Sequence, residues 1–167
     1  MNKEGSQINK AAGRFTKDPA PELVSSGFRM EVNDSALLYH GMSLADLAHV
    51  IMLIEIDLIP QDARRALLSA LLEMHSLPAE DIDFKIDLVD VYTNRTQMLY
   101  QRTPETAGWL QAGRPRREVS TLAYLIVTRA ELLEVVKYVL KLMETLLEFC
   151  EDHRSTLLPD YTYLQRA

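Results

Sequence analysis

The run from Glu118 to Leu158 holds neither Gly nor Pro, and Pro159 closes it. Apolar residues recur along it at Val119, Leu122, Ile126, Ala130, Leu133, Val136, Leu140, Met143, Leu147 and Cys150. Steps of three and four place those side chains on one face of an α-helix. A second stripe, Leu125, Leu132, Val139, Leu142 and Leu146, makes the apolar arc wider than a two-stranded coiled-coil seam. At about 1.5 Å per residue such a helix is roughly 60 Å long. A globule of this chain's size is only about 30–35 Å across. One chain cannot cover the helix on all sides, so self-association through residues 118–158 is expected. Cys150 sits on the stripe, which predicts a packing role rather than a reactive thiol.

Composition narrows the partners. Lys plus Arg number 18 against 24 Asp plus Glu, a formal charge of −6, and the only basic cluster is Arg114, Arg116 and Arg117. No nucleic-acid partner is expected from so acidic a chain. A single cysteine excludes an internal disulfide and suits a reducing compartment. The sequence shows no apolar run of the ~18–20 residues a membrane span needs, and residues 1–17 lack the apolar segment of a secretion signal. No membrane partner and a cytoplasmic location are therefore expected.

In chain order, residues 1–22 read as a mobile arm, with Gly5, Gly13, Pro19 and Pro21 among polar residues. Residues 23–107 read as a small helical domain. Its opening, 23–42, is mixed, and Asn33, Asp34 and Ser35 give a turn or cap signal. Ser43 is read as the N-cap of a helix from Leu44 to about Asp57, with Leu47, Ile51 and Ile54 inward and Val50 and Leu58 beside them. Pro60 suits the first turn of a second helix, Gln61 to His75, carrying Ala66, Leu67, Ala70, Leu71 and Met74. A third, weaker helical pattern runs from Glu80 to Arg102, with a short strand at 84–88 as the alternative. Thr103 to Pro115 reads as a loop. Residues 108–167 supply that loop's motif, the long helix and a closing segment. The fold class is all-α: a helical N-terminal domain followed by the first long helix of a helical bundle.

Two polar stretches flank the long helix. At its start, Arg114, Arg116 and Arg117 stand beside free backbone N–H groups, a combination suited to carboxylates. The plainer reading is that these arginines pair with acidic neighbours. At its end, Tyr161, Thr162, Tyr163 and Gln165 offer hydroxyl and amide groups to a polar ligand, or simply close the helix. His40, His49, His75 and His153 have no metal-ligand spacing, and Asp81, Asp83, Asp87 and Asp90 resemble a metal cluster in composition alone. No metal and no cofactor are implied.

Taken together, the pieces resemble the N-terminal part of the argininosuccinate lyase family, within the fumarase/aspartase superfamily. Gly13-Arg14-Phe15 resembles the family's opening, and Ala48-His49-Val50-Ile51-Met52-Leu53 its first core helix. Residues 110–118, Leu-Gln-Ala-Gly-Arg-Pro-Arg-Arg-Glu, resemble the LHTGRSRND motif. Residues 159–167, Pro-Asp-Tyr-Thr-Tyr-Leu-Gln-Arg-Ala, resemble PGYTHLQRA. The resemblance implies a homotetramer whose long helices form a central bundle, with each active site built from three subunits. It implies β-elimination, in which a base removes a proton beside a carboxylate of a succinyl group and the C–N bond breaks to release fumarate. It places Arg114, Arg116, Arg117, Thr162, Gln165 and Ser35 at substrate-binding positions, and Tyr163 at the position of a family histidine tied to catalysis.

The departures are as informative. Gln111 stands where the family has His, Ala112 where it has Thr, and Arg117 where it has Asn. Tyr163 and Tyr92 both stand at or near family histidines. An ordinary phenol titrates near pH ~10 against ~6.5 for imidazole, which makes tyrosine a poor base at neutral pH. The family's remaining helices and its mobile serine loop would follow Ala167. Two readings stay open: an incomplete N-terminal part of an argininosuccinate lyase-like C–N lyase acting on an N-substituted succinate, which alone is not expected to complete an active site, or a non-catalytic helical oligomerisation or binding module derived from the same fold.

Overall fold

The computed structural model describes residues 19–166. The Gly13-Arg14-Phe15 motif and most of the expected arm lie outside them. Helical turns begin at once, as Pro21–Leu23, a wider π-type segment Val24–Phe28, and Arg29–Asn33. They lead into α1, Ser35–Glu55. After a short connection comes α2, Gln61–His75, opened by Pro60 in extended conformation. Two 3₁₀ turns, Ala79–Asp81 and Ile86–Leu88, precede α3, Val91–Arg102. Another 3₁₀ turn, Ala107–Gln111, leads to α4, Arg116–Asp152. A two-stranded hairpin, β1 (Tyr161–Thr162) with β2 (Gln165–Arg166), ends the described chain. The class is all-α, as expected.

Several boundaries correct the sequence reading. Ser43 is not an N-cap; α1 starts at Ser35, and Ser43 is a buried residue inside it. Residues 23–42 are almost wholly helical, because Leu38, Tyr39 and Met42 continue a buried face that Asn33–Asp34 only interrupts. Leu47 and Ile54 pack against the core as expected, with Val50 and Leu53 buried beside them, whereas Ile51 and, past the end of α1, Leu58 are half exposed. α2 matches its expected bounds, and Leu67, Ala70, Leu71 and Met74 are buried, with Ala66 outward. The third helix starts later than predicted, since Val89 takes φ 72 and Asp90 is the N-cap of α3. No strand forms at 84–88. α4 stops at Asp152 rather than Leu158; Ser155 and Thr156 favour turns, and Pro159 disfavours helix just before it.

The chain divides into two units, the first up to Val127 and the second from Thr128, so the division falls within α4. In the first unit, one cluster joins α1, α2 and α3 through Val50, Leu53, Ile59, Leu67, Leu71, Met74 and Leu99. A second cluster, Leu38, Met42, Ala45, Val91, Val119 and Ala123, binds the first turns of α4 to α1 and α3. Gly41 permits that approach: a Cβ there would sit 3.1 Å from both Cα and O of Ala123. By length and mean hydropathy (1.5), α1 would suffice to cross a membrane, which corrects the expectation that no stretch would. Half of that apolar window is buried against the rest of the unit, and it carries the buried carboxylate of Asp46.

In the second unit the helix is bare. Leu132, Leu133, Val136, Val139, Leu140, Met143, Leu146 and Leu147 are all at least half exposed. Cys150 is exposed as well, so the packing role expected for it is not met within the single chain.

Candidate carboxylate-binding site

The polar features of the first unit converge on the turn that starts α4. Asp46, on the buried face of α1, accepts from two guanidinium groups. Arg95 of α3 donates Nη2 to Oδ2 at 2.8 Å, and Arg114 donates Nη2 to Oδ1 at 2.6 Å. Arg95 also donates to Ser43 Oγ at 2.8 Å, and its Cζ lies 4.7 Å from the centre of the Tyr39 ring. Tyr39 in turn donates its hydroxyl to the Met74 carbonyl at 2.6 Å. Asp46, Arg95 and Arg114 side chains are 5%, 3% and 4% exposed. Two cations on one anion in a dry interior leave a net positive charge, and Arg95 Nε has no partner among the described residues. In such a setting removing the anion would cost about 3–5 kcal/mol.

The turn itself is held on both sides of Gly113, whose φ of +68° a side chain would oppose. Before it, His49 Nε2 donates to the Ala112 carbonyl at 3.0 Å, which sets the tautomer of that ring. Burial, then the nearby Arg114 guanidinium, push the His49 imidazole below its ordinary range. After it, Arg116 donates to Asp90 Oδ2 at 2.8 Å, while Asp90 Oδ1 caps α3 by accepting Thr93 N–H at 2.8 Å. A tight γ-turn aims Asp90: its N–H donates to the Leu88 carbonyl at 2.9 Å across Val89. A positive φ at a β-branched residue is a strained conformation, held here by these flanking bonds. Burial pushes the Tyr92 phenol up, against the Arg114 charge, so it stays protonated at neutral pH.

The expected site residues fare differently. Arg114 points inward to Asp46 and Arg116 pairs with Asp90, so the plainer reading describes these two. The Arg117 side chain is exposed and makes no hydrogen bond or ion pair to another described residue. Ser35 opens α1 fully buried, its Oγ without a partner among the described residues, and no hydrogen bond joins it to the arginines. In the second unit, Thr162 lies directly across the hairpin from Gln165. Tyr163 and Leu164 form its turn with φ 51 and 65, which leaves Tyr163 96% exposed. Asp46 and Arg95 are not singled out by the sequence, and Asp90 stands out there only as one of an acidic run. The available signal was an aspartate in the middle of an apolar helix, which demands a buried partner.

No family model matches the chain. Curated relatives do. An argininosuccinate lyase of Ruminiclostridium cellulolyticum is 30% identical over 156 residues, 93% of this chain and 34% of that protein. One from Trichlorobacter lovleyi is 31% identical over 163 residues, 97% of this chain and 35% of its own length. An archaeal one, from Methanocaldococcus jannaschii, is 27% identical over 152 residues, 90% of this chain and 30% of its own. The chain thus spans about a third of the length of these relatives. Across nearly its whole extent the chain is similar to about a third of these argininosuccinate lyases.

Proposed function

We propose that this chain provides the N-terminal helical domain and first bundle helix of a C–N lyase of the argininosuccinate lyase type. The reaction would be β-elimination from an N-substituted succinate: a base takes the proton beside a carboxylate, the electron pair forms the C=C bond, and the C–N bond breaks to give fumarate. The observation that carries the reading is the similarity over nine-tenths of the chain. The α4 start supports it, because Arg117 stands exposed at a helix N-terminus, a place that favours a carboxylate. Thr162 and Gln165, paired across the hairpin, are proposed to hydrogen-bond the substrate. Ser35 and Arg116 are proposed to assist, Arg116 through the part of its guanidinium left outside the Asp90 pair. Tyr163 is the proposed occupant of the family's histidine position.

The bare apolar face of α4 supports self-association, with the family's homotetramer as the proposed assembly. The alternative, a non-catalytic oligomerisation module, is favoured by one observation: Arg114 is held inward by Asp46, away from any ligand. The test is an absorbance assay for fumarate from argininosuccinate with the C-terminal remainder of such a lyase supplied, and with Thr162→Ala and Arg117→Ala alongside. Fumarate production that either substitution lowers supports the lyase. An assembled protein that releases none from any N-substituted succinate favours the module.

A further inference from the structure

Gly113 leaves the turn before α4 without steric guidance of its own, so its shape depends on what grips it from either side. After Gly113 the turn is gripped by the partly exposed Arg116–Asp90 pair and, in the interior, by Arg114, whose fork reaches Asp46 Oδ1 at 2.6 Å and the Ala45 carbonyl at 3.4 Å. Asp46 is the only carboxylate among the described residues that bonds either Arg95 or Arg114. We propose that Asp46 is a positioning residue: it holds Arg114 inward, fixes the 112–117 turn, and leaves Arg117 to meet a ligand carboxylate.

Charge explains why one residue has that leverage. Without the Asp46 charge, two buried guanidinium groups would repel one another with no anion between them. Arg95 rises from the interior of α3, over the Tyr39 ring and bonded to Ser43, and has little freedom to leave. Arg114 adjoins the Gly113 turn and can swing into water by changing that turn alone. Loss of the carboxylate should therefore be felt first at residues 112–117. What the turn binds rests on the lyase reading; that Asp46 holds the turn does not.

The experiment is ¹H–¹⁵N NMR of the full chain, comparing wild type, Asp46→Asn and Arg95→Met, each with and without fumarate. Asp46→Asn is expected to move the Gly113 amide signal and to abolish the Arg114 Nε–H signal through exchange with water. The Leu67 and Leu71 signals of α2 should stay in place, a pattern that general loosening of the unit would not give. Arg95→Met keeps the Asp46–Arg114 pair and should leave the Gly113 and Arg114 signals where they are. Unmoved Gly113 and Arg114 signals in Asp46→Asn, or equal displacement in Arg95→Met, overturn the proposal. Should Asp46→Asn not fold, Arg114→Lys keeps the charge but loses the fork, and an unmoved Gly113 signal there overturns it equally. In the fumarate arm, a response at Arg117 that Asp46→Asn loses supports the ligand half. Wild type without any response overturns the ligand assigned to the turn, while the Gly113 and Arg114 signals still decide the role of Asp46.

Discussion

Asp90 performs two tasks with two oxygens, and substitution can separate them. Oδ1 caps α3 through Thr93 N–H, and Oδ2 takes Arg116, whose side chain is 57% exposed while that of Asp90 is 12% exposed. Loss of a cap costs about 1 kcal/mol. An ion pair with one partner this exposed contributes about 0–1 kcal/mol, and less at high salt. Asp90→Ala should therefore destabilise the first unit by about 1–2 kcal/mol. Asp90→Asn keeps an oxygen for Thr93 and should cost only the ion-pair part, a few tenths to ~1 kcal/mol. Urea unfolding followed by circular dichroism measures both, and for a chain this long ~1 kcal/mol moves the melting point by about 2–4 °C. Raising salt should narrow the gap between wild type and Asp90→Asn and leave that between Asn and Ala unchanged. If Asn costs as much as Ala at every salt concentration, the cap is not what Asp90 supplies, and the division of labour is wrong.

Gly41→Ala gains helix propensity of about 1 kcal/mol but drives a methyl to 3.1 Å from Ala123 Cα and O. With overpacking at about 1–3 kcal/mol, a net loss of about 0–2 kcal/mol is expected, and a clearly stabilised variant in thermal melts would show that α1 and α4 lie further apart. His49 has a lowered folded pKa, so as pH falls through about 6.5 the unfolded chain binds the proton first and stability drops. The loss levels off only below the folded value. His49→Gln should flatten that part of the pH dependence in urea titrations between pH ~7.5 and ~5.5, a range set by the ordinary imidazole value; an unchanged slope would assign it to other groups. Leu133→Lys with Leu140→Lys, both at 55% exposed positions of α4, should lower the mass seen by light scattering. An unaltered mass would place the contact between copies elsewhere.

Much of the helical framework was legible before any tertiary information. Pro60 and the Leu67, Ala70, Leu71, Met74 spacing gave α2 its bounds, because a proline start and an apolar stripe are local signals. The long Gly- and Pro-free run gave α4 and its uncovered face for the same reason. α1 was misread at its start because Ser43 looks like a cap in isolation, whereas its hydroxyl is spent on Arg95 across the core. α3 was read too long because the Val89 γ-turn has no local signature; it is sustained by Asp90's bonds to α3 and to Arg116.

The sequence by itself determined the all-α class, the long helix with its wide apolar face, and the motifs at that helix's two ends. Those properties arise from periodicity and residue type, which act within a few turns. Only the tertiary structure decided which arginine is spent inside. Arg114, Arg116 and Arg117 are nearly equivalent as letters, but the two carboxylates that claim the first two come from α1 and from the cap of α3. Ion pairing depends on distance through space, and the distance between Asp46 and Arg114 is set by how α1 and the α4 start pack, not by the residues that separate them along the chain.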